Sequence, residues 1–175
     1  MMQHSAPMQR RTLLKLGVAG GAVLAVAGGG LALLRPGLVD GRLSAGGREV
    51  FAAVARAVLD GALPAEPAAR QAALAAHLDR LDDTVAGLPA AARGELSDLL
   101  GLLAAAPGRL AFAGLRPAWA EAGVAELQDA LQSMRTSRLA LRQQAFHALR
   151  DLTNAAYYAD ASTWAAIGYP GPREL

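Results

Sequence analysis

The stretch VAELQDALQSMRTSRLALRQQAFHALRDLTNAAYYAD, Val124 to Asp160, runs for 37 residues without a glycine or a proline. Strands average about 5–6 residues and need turn residues between them, so only helix accommodates such a window. Its apolar set includes Leu127, Leu131, Met134, Leu141, Leu149 and Leu152. An unbroken helix of this length would exceed the usual globular range, so a bend or break is expected near Thr136-Ser137.

Working outward, the same grammar repeats. On the C-terminal side, Ser162 is placed to cap a last short helix carrying Trp164 and Ile167 and closed by Gly168. Tyr169-Pro170-Gly171-Pro172 then forms a turn that cannot be helical. Upstream, a helix over about 48–62 places Phe51, Val54, Val58 and Ala62 on one stripe, and Gly61 and Pro64 end it. A second helix, 67–86, opens on Pro67 and carries the seam Leu74, Leu78, Leu81 and Val85. Gly87 is expected as its left-handed cap, ahead of Pro89. A third helix, 89–106, buries Leu96, Leu99, Leu100 and Leu103 and stops at Pro107-Gly108. Residues 109–123 read as irregular or briefly helical, anchored by Phe112, Leu115 and Trp119. No segment alternates β-branched and polar residues, and no strand or hairpin is expected. The fold class is therefore all-α: a small bundle of about five to six helices behind an N-terminal signal or anchor helix. The divisions are 1–35 for that segment, 36–47 for a linker and 48–175 for the helical domain.

Charge and composition narrow the function classes. The formal net charge is +2, yet residues 1–35 hold four basic side chains and no acid, leaving the remainder at −2. The basic balance thus belongs to the N-terminus, and nucleic-acid binding is not expected of the body. There is no cysteine, which excludes disulfides, thiolate metal sites, covalent haem and a cysteine nucleophile. Alanine supplies 42 residues and aromatics only 8, so large apolar side chains must be used economically.

The N-terminal segment reads Gln9-Arg10-Arg11-Thr12-Leu13-Leu14-Lys15, then 19 uncharged residues from Leu16 to Leu34, six of them glycine. A helix of that length spans roughly 28 Å, close to the hydrocarbon thickness of a bilayer. It suits either a cleaved signal, with Ala25-Val26-Ala27 as a cleavage pattern, or a retained anchor. Its glycines do not form a nucleotide loop, because no strand precedes them and no Gly-x-Gly-x-x-Gly spacing fits. The segment resembles a twin-arginine translocation signal. Arg10, Arg11, Leu14 and Lys15 match that pattern, while Leu13 replaces the usual phenylalanine and Gln9 the usual serine or threonine. The resemblance implies export of a folded cargo through the twin-arginine translocon. The destination would be the periplasm, or the inner membrane facing it.

No catalytic constellation emerges from the body. His77, with Asp79, Asp82 and Asp83 nearby, lacks the i, i+4 spacing of a metal-binding helix and reads as a half-exposed helical histidine. His147 and Asp151, four apart, read as a local pair. Ser97, Ser133 and Ser137 sit on helices without a nucleophile elbow. Adjacent Asp82 and Asp83 point to different faces and make no acid–base pair. Two features suit docking instead. Arg135, Arg138 and Arg142, with Arg150 beyond, form a cationic stripe that reads either as a solvated helix face or as a dock for an acidic partner. Tyr157, Tyr158, Trp164 and Tyr169 gather four of the eight aromatics into the last 19 residues, either closing the bundle or meeting a partner.

The run Ser137-Arg138-Leu139-Ala140-Leu141-Arg142, then Leu149 and Leu152, then Tyr157-Tyr158, Asp160, Trp164, Gly168-Tyr169 and Gly171-Pro172 carries a second resemblance. It is similar to the C-terminal part of the small (gamma) subunits of membrane-associated FAD-dependent dehydrogenases, related to gluconate 2-dehydrogenase subunit 3. The resemblance covers residues 9–15 and about 135–172. It implies a non-catalytic accessory subunit with no cofactor of its own, FAD being held by a catalytic subunit of the glucose–methanol–choline type. The small subunit would escort that partner through export and stabilise it, with a multihaem cytochrome c subunit as a further component. Export would use Arg10, Arg11, Leu13, Leu14 and Lys15. The partner surface would comprise Arg135, Arg138, Arg142, Tyr157, Tyr158, Trp164, Tyr169 and Pro170. The alternative is a stand-alone helical envelope protein, exported or anchored, with no dehydrogenase partner.

Overall fold

A computed structural model describes residues 35–171. The export motif Arg10–Lys15, the run Leu16–Leu34 and Pro172 lie outside the described residues.

The described chain is mostly helical, as the glycine- and proline-free windows require. A two-residue hairpin, β1 (Leu38–Val39) and β2 (Arg42–Leu43), precedes six α-helices. These are α1 (Ala45–Val58), α2 (Pro67–Ala86), α3 (Ala90–Ala104), the single turn α4 (Ala106–Gly108), α5 (Val124–Arg135) and α6 (Ala140–Tyr158). A wide π-type turn, Arg109–Ala113, follows α4, and a 3₁₀ helix, Ala161–Ile167, follows α6. The expected break in the long window falls between Arg135 and Ala140. Thr136 closes α5 by returning its hydroxyl to Gln132 O at 3.0 Å.

The hairpin corrects the reading of residues 36–47 as a linker without strands. Asp40 and Gly41 both adopt positive φ, 51° and 77°. That conformation is the two-residue turn for which Asp-Gly is a preferred sequence. The segment is also tied to the body. Gly37 N donates to Ser97 O at 3.1 Å, Leu38 N donates to Ser97 Oγ at 3.1 Å, and Leu43 is buried in the core. Helix α1 starts earlier than expected because Ser44 caps it, accepting from Gly47 N at 3.2 Å.

Two further details differ from expectation. Gly87 is not left-handed (φ −76°, ψ −10°). Arg93 Nη1 instead donates to the carbonyls of Ala86 and Leu88 at 3.1 and 2.8 Å, which satisfies that helix end without a chain reversal. At the last helix the cap is Asp160, not Ser162. Asp160 Oδ1 accepts from Ser162 N at 2.9 Å and from its hydroxyl at 2.7 Å, and these bonds hold the Asp160 carboxyl below the ordinary value.

The core assembles the expected stripes. Phe51 and Val54 of α1, Leu81 and Val85 of α2, Leu100 and Leu103 of α3, Leu127 and Met134 of α5 and Leu149 of α6 are inaccessible to solvent. Each such Leu or Phe contributes roughly 1.5–3 kcal/mol relative to exposure. Trp119 plugs the irregular stretch after α4, and its Nε1 donates to Leu103 O at 2.8 Å. Among the described residues, every large apolar core residue lies between Leu43 and Tyr157. Among the described residues, no single helix is long and apolar enough to cross a membrane; α3 and the turns after it reach that length only together, across an 89° bend.

Candidate functional site

The residues expected to form one partner surface separate into two groups at opposite ends of α6. Arg142 lies in its first turn and Tyr158 is its last residue. Sixteen residues of helix rise place them roughly 24 Å apart along the axis.

The aromatic group is built by α6 and the 3₁₀ helix. Tyr157 is buried, 4% exposed, and its hydroxyl donates to Ala62 O at 2.9 Å, clasping the turn that follows α1. Burial and the neighbouring Tyr158 push the Tyr157 phenol above its ordinary value. This residue therefore closes the bundle and is not free to meet a partner. Tyr158 is half-buried and meets Tyr157 edge-on, ring centroids 5.2 Å apart. Trp164 Nε1 donates to Tyr158 O at 2.8 Å. The chain then turns at Gly168, with φ +71°. Tyr169 N donates to Trp164 O at 3.0 Å, and the Tyr169 ring lies edge-on to the indole at 5.2 Å. Trp164 is thus the pin on which the tail folds. Ile167, Tyr169 and Pro170 remain exposed beside it, Ile167 by 53% and Tyr169 by 46%.

The arginine group serves the fold as well as the surface. Arg142 Nε donates to Phe112 O at 2.6 Å and Nη2 to Ser133 Oγ at 3.0 Å, tying α6 to the π-type turn and to α5. Arg135 Nε bonds Gln132 within α5 at 3.0 Å, and both Arg135 and Arg138 are exposed. Arg150 leaves the stripe: it pairs with Asp151 at 2.7 Å and lies over the Phe146 ring at 5.6 Å.

The remaining candidates take structural positions. His77 is not half-exposed but fully buried, edge-on to Tyr157 with ring centroids 6.0 Å apart. Among the described residues neither of its nitrogens has a hydrogen-bond partner, and burial, then nearby Arg80, lowers its pKa to about 4. Helix α2 has other reasons to bury this face, since Leu81 and Val85 continue it; periodicity extended back one turn from Leu81 would have reached His77. Asp82, which points to a different face from Asp83 as expected, is 4% exposed and joins three elements. Its Oδ1 accepts from Leu43 N and its Oδ2 from Arg48 Nη1, both at 2.7 Å. The expected His147–Asp151 pair does not form, because Arg150 takes Asp151. Ser97 and Ser133 accept from Leu38 N and Arg142. Among the described residues, no group of three His, Asp or Glu side chains could hold a metal ion. Compared with protein-family models, curated proteins and solved structures, the chain matches none.

Proposed function

We propose that this chain is a non-catalytic accessory subunit of an exported, flavin-dependent dehydrogenase of the glucose–methanol–choline type. In this reading Arg10 and Arg11 take the assembled pair to the twin-arginine translocon, and the helical body holds the FAD-bearing catalytic subunit. The complex would work in the periplasm or at the periplasmic face of the inner membrane, with a multihaem cytochrome c as electron acceptor. The observation that carries the reading is a sequence pairing: the Arg10-Arg11…Leu14-Lys15 signal with the closing Tyr157-Tyr158…Trp164…Gly168-Tyr169-Pro170-Gly171-Pro172 pattern. The exposed Ile167, Tyr169 and Pro170, held beside a pinned Trp164, support a contact surface at that end. Large amphipathic side chains on a fixed backbone are what partner hot spots require.

The deciding experiment replaces Arg10 and Arg11 with lysine and follows the dehydrogenase subunit. Its retention in the cytoplasm is the expected result. Its arrival in the periplasm at the normal level removes the escort role. A stand-alone envelope protein is the second reading, favoured by a single core that, among the described residues, runs from Leu43 to Tyr157. Deletion of the gene with no loss of dehydrogenase activity selects it.

A further inference from the structure

Charge is distributed unevenly over the body. Residues 36–175 are net acidic, yet residues 99–120 and 130–150 contain no Asp or Glu. The first stretch carries Arg109 and Arg116, and the second carries Arg135, Arg138, Arg142 and Arg150. The fold brings the two together, because Arg142 bonds Phe112 O at 2.6 Å. Five of these six arginines, all but Arg150, therefore crowd the end of the bundle formed by the π-type turn and the α5–α6 junction. Among the described residues, carboxylate ion pairs are made by Arg48, Arg80 and Arg150 and by none of these five. Where the five have partners, those are uncharged: Arg109 bonds the carbonyls of Leu115 and Arg116 at 3.3 Å, Arg135 bonds Gln132, and Arg142 bonds Phe112 and Ser133.

Two leucines stand at this same end. Leu110, in the π-type turn, is 54% exposed and Leu139, just before α6, is 64% exposed. They project from turns rather than lining a groove. Large apolar side chains set among cations suit penetration of an anionic headgroup layer, where the leucines reach acyl chains and guanidinium groups bind phosphodiesters in forked pairs.

The start of the body has a definite direction too. Leu38 bonds Ser97, whereas the Arg35 carbonyl lies over Gly101. The chain therefore runs antiparallel to α3, and Arg35 sits one turn from the elbow at Ala105 that leads into the π-type turn.

We infer that this end of the body docks on an anionic lipid bilayer, with Leu110 and Leu139 entering the headgroup layer and Arg116, Arg135 and Arg138 binding lipid phosphates. The inference is independent of the dehydrogenase reading.

The test uses residues 35–175, which form one compact unit. It is floated with phosphatidylcholine vesicles that either lack phosphatidylglycerol or contain it as roughly a third of the lipid. Binding to the anionic vesicles alone, weakened by salt, is the expected result. Arg116→Gln, Arg135→Gln and Arg138→Gln together should weaken it about a hundredfold, at roughly fivefold per arginine. Leu110→Ser with Leu139→Ser should weaken it at least about tenfold. All five side chains are exposed, so the melting temperature should hold, and circular dichroism checks that each variant is folded. Absence of binding to anionic vesicles, equal binding to neutral ones, or full binding by the folded triple variant overturns the inference. Loss of a protein partner by the triple variant, without lipid binding by the parent, overturns it in favour of an acidic protein surface.

Discussion

The His77 imidazole meets the Tyr157 ring edge-on, centroids 6.0 Å apart and planes at 66°, with both histidine nitrogens buried and, among the described residues, unpartnered. The charged group acting on it is Arg80, which donates to Ala156 O and to the Asp160 carboxylate. Protonation would place an unsolvated cation beside Arg80, and this is why its pKa falls from 6.5 to about 4. A depressed histidine leaves the unfolded chain binding the extra proton, so the stability it contributes is present above pH 6.5 and is lost as pH falls towards 4. The loss over that window is about 3 kcal/mol at 1.36 kcal/mol per unit. Chemical denaturation at pH 7.5 and at pH 4.5 should show it. His77→Phe, which keeps the ring and removes the proton site, should abolish that part of the pH dependence. An unchanged pH slope in the variant would mean that carboxylates alone set it.

Asp82 and Asp79 both pair with Arg48, but they differ in burial. The Asp82 side chain is 5% exposed and the Asp79 side chain 74%. Removing Asp82 also leaves the buried Leu43 N–H without its acceptor. Asp82→Ala should therefore cost about 3–5 kcal/mol, while Asp79→Ala should cost under about 1 kcal/mol. Urea unfolding of the two variants checks the contrast, and equal losses would show that the network does not work through burial.

How far the sequence disclosed this arrangement depends on the kind of signal. The long window without glycine or proline located α5 and α6, and Thr136-Ser137 located their junction, because backbone propensity acts locally. The hairpin was equally local and available in Asp40-Gly41, but two-residue strands are too short for any alternation to register. His77 and Asp82 are another matter. Polar residues read as exposed when judged by type, and only their positions beside Leu81 and Val85 reveal the buried face. The separation of the arginine and aromatic groups was also legible, since 16 residues of helix lie between Arg142 and Tyr158. The pole that joins Arg109 and Arg116 to Arg135, Arg138 and Arg142 was not, because it depends on a contact between residues 30 apart.

Two glycines should respond to alanine with opposite signs. A Cβ on Gly37 would collide with Leu100 Cβ and approach Ser97 O to 2.6 Å, within a segment bonded to α3. Gly37→Ala should destabilise by about 1–3 kcal/mol through overpacking. Gly94 lies in exposed α3 surface with nothing within 4 Å of its position for a Cβ. Gly94→Ala should stabilise by about 0.8–1 kcal/mol, the helix-propensity difference. Thermal melts of both variants decide the matter, and a neutral Gly37→Ala would mean that the hairpin segment is not held against α3.

Trp119 and Trp164 separate the role of the body from that of its C-terminal end. Trp119 is 1% exposed with its indole N–H satisfied in the core, and its replacement by alanine should cost about 3–5 kcal/mol. Trp164 is half-buried and lies beyond Tyr157, the last large core residue. Its contacts are local: the Tyr158 carbonyl, the Tyr169 ring and the backbone of the tail. Trp164→Ala should release residues 161–171, seen as a gain of amide exchange confined to them, while global stability changes by about 1 kcal/mol or less. If the tail is the partner surface, the same variant should fail to co-purify with the dehydrogenase subunit although the body stays folded. A global loss as large as that of Trp119→Ala would make Trp164 a core residue. Intact co-purification with a released tail would move the partner surface away from this end.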